Sequence, residues 1–134
     1  MQDIHSILKQ YWGFDTFRNP QEDIIRAVLE GTDTLALLPT GGGKSICFQV
    51  PALALGGLCI VVSPLIALMK DQVANLVKRQ IPATAIYSGM TKREVDMLLD
   101  ACVDGKYRFL YEMTDTELFI YVYKADSRGD VYKS

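Results

Sequence analysis

The feature that most constrains this chain is a run of three glycines, Gly41-Gly42-Gly43, followed at once by Lys44 and Ser45. Before it lies Thr34-Leu35-Ala36-Leu37-Leu38, a short apolar run of the kind that forms a strand buried on both faces. A helix is expected from about Lys44. Strand, glycine loop and helix in succession make a cradle for a polyphosphate. Backbone N–H groups converge where no side chain blocks them, and the helix N-terminus adds its positive end. In such a loop, Thr40-Gly41-Gly42-Gly43-Lys44-Ser45, the lysine reaches the β- and γ-phosphates and the Ser45 hydroxyl ligates Mg²⁺. The strict motif has glycine where this chain has Leu38, and a flexible glycine-rich turn with an incidental lysine is the plain alternative. The strand before the loop and the helix after it favour the cradle.

The rest of the chain alternates in the same way. Ile4, Ile7, Leu8 and Tyr11 lie at helical spacing. Asn19-Pro20 reads as N-cap and first helical position, Glu22 and Asp23 suit a first turn, and Gly31 stops that helix. Leu58 to Ser63 reads as a buried strand leading through Pro64 into a helix over Ile66 to Arg79. Ala83 to Tyr87 is a shorter strand. Thr91 and Glu94 have the spacing of a capping box for a helix ending near Asp104-Gly105. Tyr107 to Tyr111 is a further strand. The order implies an α/β fold with a mostly parallel sheet, whose ligands bind beyond the carboxyl ends of the strands. After Tyr111, Leu118 to Tyr123 reads as one more strand, and Ala125 to Ser134 as a polar, frayed end.

Composition supports a folded domain and narrows its chemistry. Of 134 residues, 49% are hydrophobic, enough for a buried core. A net charge of −2 argues against a bulk nucleic-acid coat but leaves room for a local basic track. Cys47, Cys59 and Cys102 are widely spaced, without a CxxC pair or Cys/His cluster that would suggest zinc; Cys47 and Cys59 sit in apolar runs and suit small core residues in a reducing compartment. With no signal-like start and no apolar run long enough to cross a bilayer, a cytoplasmic location is the default expectation, with no membrane partner.

Three segments together resemble the RecQ helicases of helicase superfamily two. Leu38 to Leu53 is similar to their motif I, and Val61 to Val73 to their motif Ia. Trp12-Gly13-Phe14 followed by Phe17-Arg18-Asn19-Pro20-Gln21 is similar to their adenine-recognition motif. The resemblance covers residues 4 to 111. It implies that residues 1–111 form part of a three-layer, RecA-like P-loop domain, incomplete here, with residues 112–134 a divergent tail. It implies ATP and Mg²⁺ as cofactors. The implied ATP site is Phe14, Arg18, Gln21, Thr40, Gly41, Gly42, Gly43, Lys44 and Ser45, with Lys44 catalytic and Ser45 the metal ligand. Phe14 and Arg18 would stack on adenine, since an aromatic face and a guanidinium plane both do so. Gln21 would read its edge with one donor and one acceptor. The plain alternatives are a core aromatic for Phe14 and a solvated helix entrance for Arg18 and Gln21. The resemblance also implies that Ser63, Pro64 and Lys70 hold single-stranded or forked DNA by its phosphates. Tyr87-Ser88-Gly89 with Thr91, Lys92 and Arg93 would extend that track, although a helix start with solvated cations explains them equally well. Roles in DNA repair and recombination follow from the same likeness, in the bacterial nucleoid or in a nucleus.

The resemblance fades beyond Tyr111. No DExH sequence is present, and Glu112 to Glu117 stands where the family has Ser-Pro-Glu-Arg. The second lobe, which closes the ATP cleft in that family, has no counterpart in these residues. The expectation is therefore an ATP-binding portion of a DNA helicase that is not competent alone. The alternative is a non-catalytic P-loop module that binds nucleotide or DNA. A small-molecule kinase fits less well, since motif Ia has no evident role there. If the tail pairs with the sheet, Asp126 would stand near the strand end as a candidate Mg²⁺-associated carboxylate, the plain alternative being a solvated tail residue.

Overall fold

The computed structural model describes residues 2–38, 43–63, 65–113 and 119–122, the last by backbone alone. The chain divides into two compact units, residues 1–55 and 56–134.

The first unit is helical. Helix α1 spans Ile4–Trp12, with the Asp3 carboxylate accepting from the Ser6 N–H and Gly13 closing the end at φ 78°. Its buried stripe is Ile4, Ile7 and Leu8, the spacing that the sequence suggests. Helix α2 spans Gln21–Leu29, and Gly31 follows in the left-handed region at φ 84°. Asn19 does not cap it as expected; the cap is Pro20, without a side-chain bond. The reason is local. The Gln21 N–H donates to the Arg18 carbonyl at 2.7 Å, and the Arg18 N–H returns a bond to Gln21 Oε1 at 2.8 Å, closing a turn that displaces Asn19 from the cap. Helix α3 spans Lys44–Leu55, and both α1 and α2 pack on it. Its side chains Cys47, Val50, Ala52 and Leu53 form the core with Ile7, Leu8 and Ile25.

The expected strand over Thr34 to Leu38 is not a strand. Residues 32–38 have no regular structure, and Leu35 and Leu37 are 87% and 85% exposed. An apolar run becomes a strand only when a neighbour pairs its backbone. Here the Thr34 hydroxyl instead donates to the Thr32 carbonyl at 2.8 Å.

The second unit is the α/β part. Strand β1 is Cys59–Ser63, helix α4 Ile66–Lys78, strand β2 Ala83–Ile86, helix α5 Lys92–Val103, strand β3 Phe109–Met113 and strand β4 Phe119–Val122. The sheet order is β2-β3-β1-β4. The first three strands are parallel, with Cys59 and Ala83 both in register with Phe109. This pairing starts the third of them at Phe109 rather than Tyr107. The tail strand is antiparallel to β1, Val62 facing Phe119 and Cys59 facing Val122. Both edges of β1 are thus taken. Phe109, Leu110 and Tyr111 are buried with Val61, Met69 and Leu76, and α4 packs on β2 and β3. The Tyr111 hydroxyl donates to Gln72 Oε1 at 2.7 Å, which joins sheet to helix. Cys47 and Cys59 are free and buried, as their apolar runs suggest, and Cys102 is free and buried too. Among the described residues no helix is long and apolar enough to cross a membrane.

Candidate nucleotide and nucleic-acid sites

The two groups of candidate residues fall in different units. In the first, Lys44 and Ser45 open α3, as the loop-to-helix reading requires. Lys44 is exposed and Ser45 half-buried, so both can meet a ligand from solvent. Pro39, Thr40, Gly41 and Gly42 lie outside the described residues. Gly43 takes φ 74°, and a Cβ built there would collide with the Gln21 side-chain amide. Any other residue at 43 would face both a left-handed backbone and that collision. The glycine is therefore required by shape, which is what a backbone cradle needs.

Gln21 is the residue whose surroundings the sequence did not reveal. Its plain reading as a solvated helix-entrance residue does not hold, because it is 3% exposed. Its Oε1 accepts from the Arg18 N–H, and its Nε2 donates to the Gly43 carbonyl at 3.2 Å. One side chain thus joins the loop before α2 to the residue before α3. Phe14 is 51% exposed, so it is not a core aromatic, and Arg18 is exposed nearby in sequence. Both present planar groups to solvent. The loop carrying them is braced by Lys9, whose ammonium donates to Asp15 at 2.6 Å. That hydrogen bond raises the Lys9 pKa and lowers that of Asp15. His5 meets Phe17 edge-on at 5.1 Å and lies 3.4 Å from Glu22.

In the second unit, Ser63 ends β1 and is 5% exposed. Its Oγ accepts from the Leu65 N–H at 3.3 Å, turning the chain into α4. Helix α4 has no side-chain cap, so its first-turn N–H groups are not satisfied by a capping side chain. Pro64 lies outside the described residues. Lys70, one turn into α4, is exposed, and its Nζ sits 5.0 Å from the Tyr87 ring centroid. That cation–π contact joins α4 to the turn after β2, a pairing that spacing alone does not reveal. Thr91 is committed to the capping box expected for it. Its Oγ1 accepts from the Glu94 N–H at 3.1 Å while Glu94 accepts from the Thr91 N–H at 3.2 Å. Lys92 and Arg93 are exposed in the first turn of α5. Asp126 lies outside the described residues.

The site residues fit a nucleotide with its metal in the respects that the described residues allow. A helix N-terminus begins at a lysine and a hydroxyl, and the preceding glycine leaves no room for a side chain.

The sequence model of the family described as "DEAD/DEAH box helicase" matches residues 18–121. The chain is 44% identical over 117 residues to the ATP-dependent DNA helicase RecQ of Synechocystis sp., covering 87% of this chain and 24% of that protein. It is 43% identical to the probable ATP-dependent DNA helicase RecS of Bacillus subtilis, covering 83% of this chain and 22% of the relative. Against the ATP-dependent DNA helicase RecQ of Haemophilus influenzae the identity is 42%, over 79% of this chain and 17% of the relative. The chain therefore spans about a quarter or less of these relatives' length.

Proposed function

The chain belongs to the DEAD/DEAH box helicase family, and on that premise we propose that it is the ATP-binding portion of a RecQ-like DNA helicase. The observation that carries the reading is the junction at Gly43. A glycine in the left-handed region, packed against the Gln21 amide, leads directly into a helix that begins Lys44-Ser45. Lys44 and Ser45 would hold the phosphates and their Mg²⁺, and Phe14, Arg18 and Gln21 would hold the base. The metal would neutralise phosphate charge and orient the terminal phosphate. The chain's part is to bind and position. The first-turn N–H groups of α3 and the Lys44 ammonium concentrate positive charge at the phosphates. The buried Gln21 amide keeps the base-binding loop tied to the phosphate loop.

Ser63 and Lys70 support a DNA-phosphate role. They lie at the carboxyl end of a parallel strand and on the helix after it, where α/β sheets bind ligands. Contacts from a hydroxyl, helix N–H groups and a lysine read no bases, which suits a motor that moves along any sequence. Hydrolysis and unwinding are proposed for the longer protein to which such a portion belongs.

Two assays test the proposal. Fluorescent ATP and GTP analogues titrated with Mg²⁺ should bind with a preference for adenine. Phosphate release should then be measured with and without single-stranded DNA. Selective binding without release favours the binding module, DNA-stimulated release favours the motor portion, and no binding to either nucleotide refutes both.

A further inference from the structure

Strand β2 ends the sheet, and among the described residues no strand pairs with its outer side. The direction of its backbone groups follows from one bond. The Pro82 carbonyl accepts from Arg108 at 2.9 Å and so points towards β3. Alternation along the strand then turns the N–H and C=O of Ala83 and Ala85 away from β3; Ala83 is buried and Ala85 half-buried, so Ala85 is the more accessible of the two. Beside this edge runs a groove of about 630 Å³. Its walls include Val73 and Val77 of α4, Met90, and Leu98 of α5, and its charged lining residues are Lys70 and Lys78. No acidic residue lines it among the described residues.

We propose that the open edge of β2 and this groove dock an extended acidic peptide segment of a partner protein, which adds to the sheet as a further strand. Three arguments select that occupant. The outward groups of Ala83 and Ala85 alternate donor and acceptor, the complement of a peptide backbone. A phosphodiester strand offers acceptors only and would leave the two carbonyls unmatched. A second copy of this chain would bring lysine-lined grooves together, which like-charge repulsion disfavours. Apolar side chains on one face of the peptide would meet Val77 and Leu98, while acidic ones meet Lys78. Four residues of β2 offer a ladder about 13 Å long, so the segment is short and its binding modest. The inference does not depend on nucleotide binding.

The test is fluorescence anisotropy with a short labelled peptide alternating aspartate and valine, titrated with the full chain. Controls are the lysine–valine peptide, the aspartate–valine peptide N-methylated at alternate residues, and a labelled oligothymidine. Ala85→Pro deletes an outward N–H and leaves the ladder to β3 intact, as proline at a sheet edge permits. The proposal predicts binding of the acidic peptide that weakens about tenfold or more in Ala85→Pro and on N-methylation, each lost bond being worth about that factor. It also predicts weaker binding for Lys78→Glu, with wild-type circular dichroism retained. No binding, equal binding of the N-methylated peptide, or equal binding of the lysine peptide would overturn it. So would displacement of the acidic peptide by oligothymidine that persists in Lys70→Ala, since the groove itself, beyond the Lys70 phosphate contact, would then hold nucleic acid. A dimer in sedimentation that Ala85→Pro abolishes would assign the edge to a second copy instead.

Discussion

At the scale of single residues, Gln21 matters most. A buried amide bonds both Arg18 and Gly43, so removing it unties the loop before α2 from the residue before α3. Gln21→Ala should destabilise the first unit by about 1–3 kcal/mol, because the Arg18 N–H loses its side-chain acceptor and the Gly43 carbonyl one of its donors. It should also weaken nucleotide binding more than Phe14→Ala does, while Phe14→Ala leaves thermal stability unchanged; titration calorimetry with melting curves separates the two effects. Cys59 supplies a pH-dependent prediction. Burial pushes its thiol up to about 12, above the ordinary value of 9.0. The folded state thus holds the proton more tightly than the unfolded chain. The resulting stability is present below pH 9 and lost as pH rises towards 12. Denaturant midpoints measured across that range should fall less steeply in Cys59→Ala than in wild type. Lys44 and Ser45 could be named from sequence alone, because three glycines and a helix start are local signals. The buried state of Gln21 could not, since its partner Gly43 is 22 residues away.

At the scale of elements, the local chemistry of helix ends was legible and long-range pairing was not. Thr91 and Glu94 cap α5 reciprocally as their spacing implies. Thr91→Ala should cost about 1 kcal/mol in urea denaturation, and Thr91→Ser almost nothing. Asn19 shows the limit, since a turn closed by Gln21 moved the cap by one residue. Leu35 and Leu37 show a larger one. Their apolar run reads as a buried strand, yet a strand is a property of a pair, and no partner is visible in the run itself. The tail strand was legible from its aromatic and β-branched residues. Its antiparallel pairing with β1 was not, because alternation fixes faces and leaves direction open. This pairing covers an edge that would otherwise expose β1. Ile120→Pro should therefore promote concentration-dependent association, read by light scattering, while a chain with Ile120→Val stays monodisperse.

At the scale of the whole molecule, the candidate ATP residues lie in the unit of residues 1–55 and the candidate DNA residues in the unit of residues 56–134. The two proposed functions would therefore have separate structural supports within one chain. Substitutions in one set should leave the other activity intact: Lys70→Ala should weaken oligothymidine binding and spare ATP affinity. The family is readable from three short segments because each is a contiguous run whose pattern is local in sequence. Catalytic competence is not readable in that way, since it depends on carboxylates and a second lobe that these segments do not carry. The central claim, nucleotide binding at the loop before α3, is tested most directly by isothermal titration of wild type and Lys44→Ala with ATP and Mg²⁺. The account predicts saturable binding by wild type and none by Lys44→Ala at the same concentrations, with both proteins equally folded. Equal affinity of the two would contradict it.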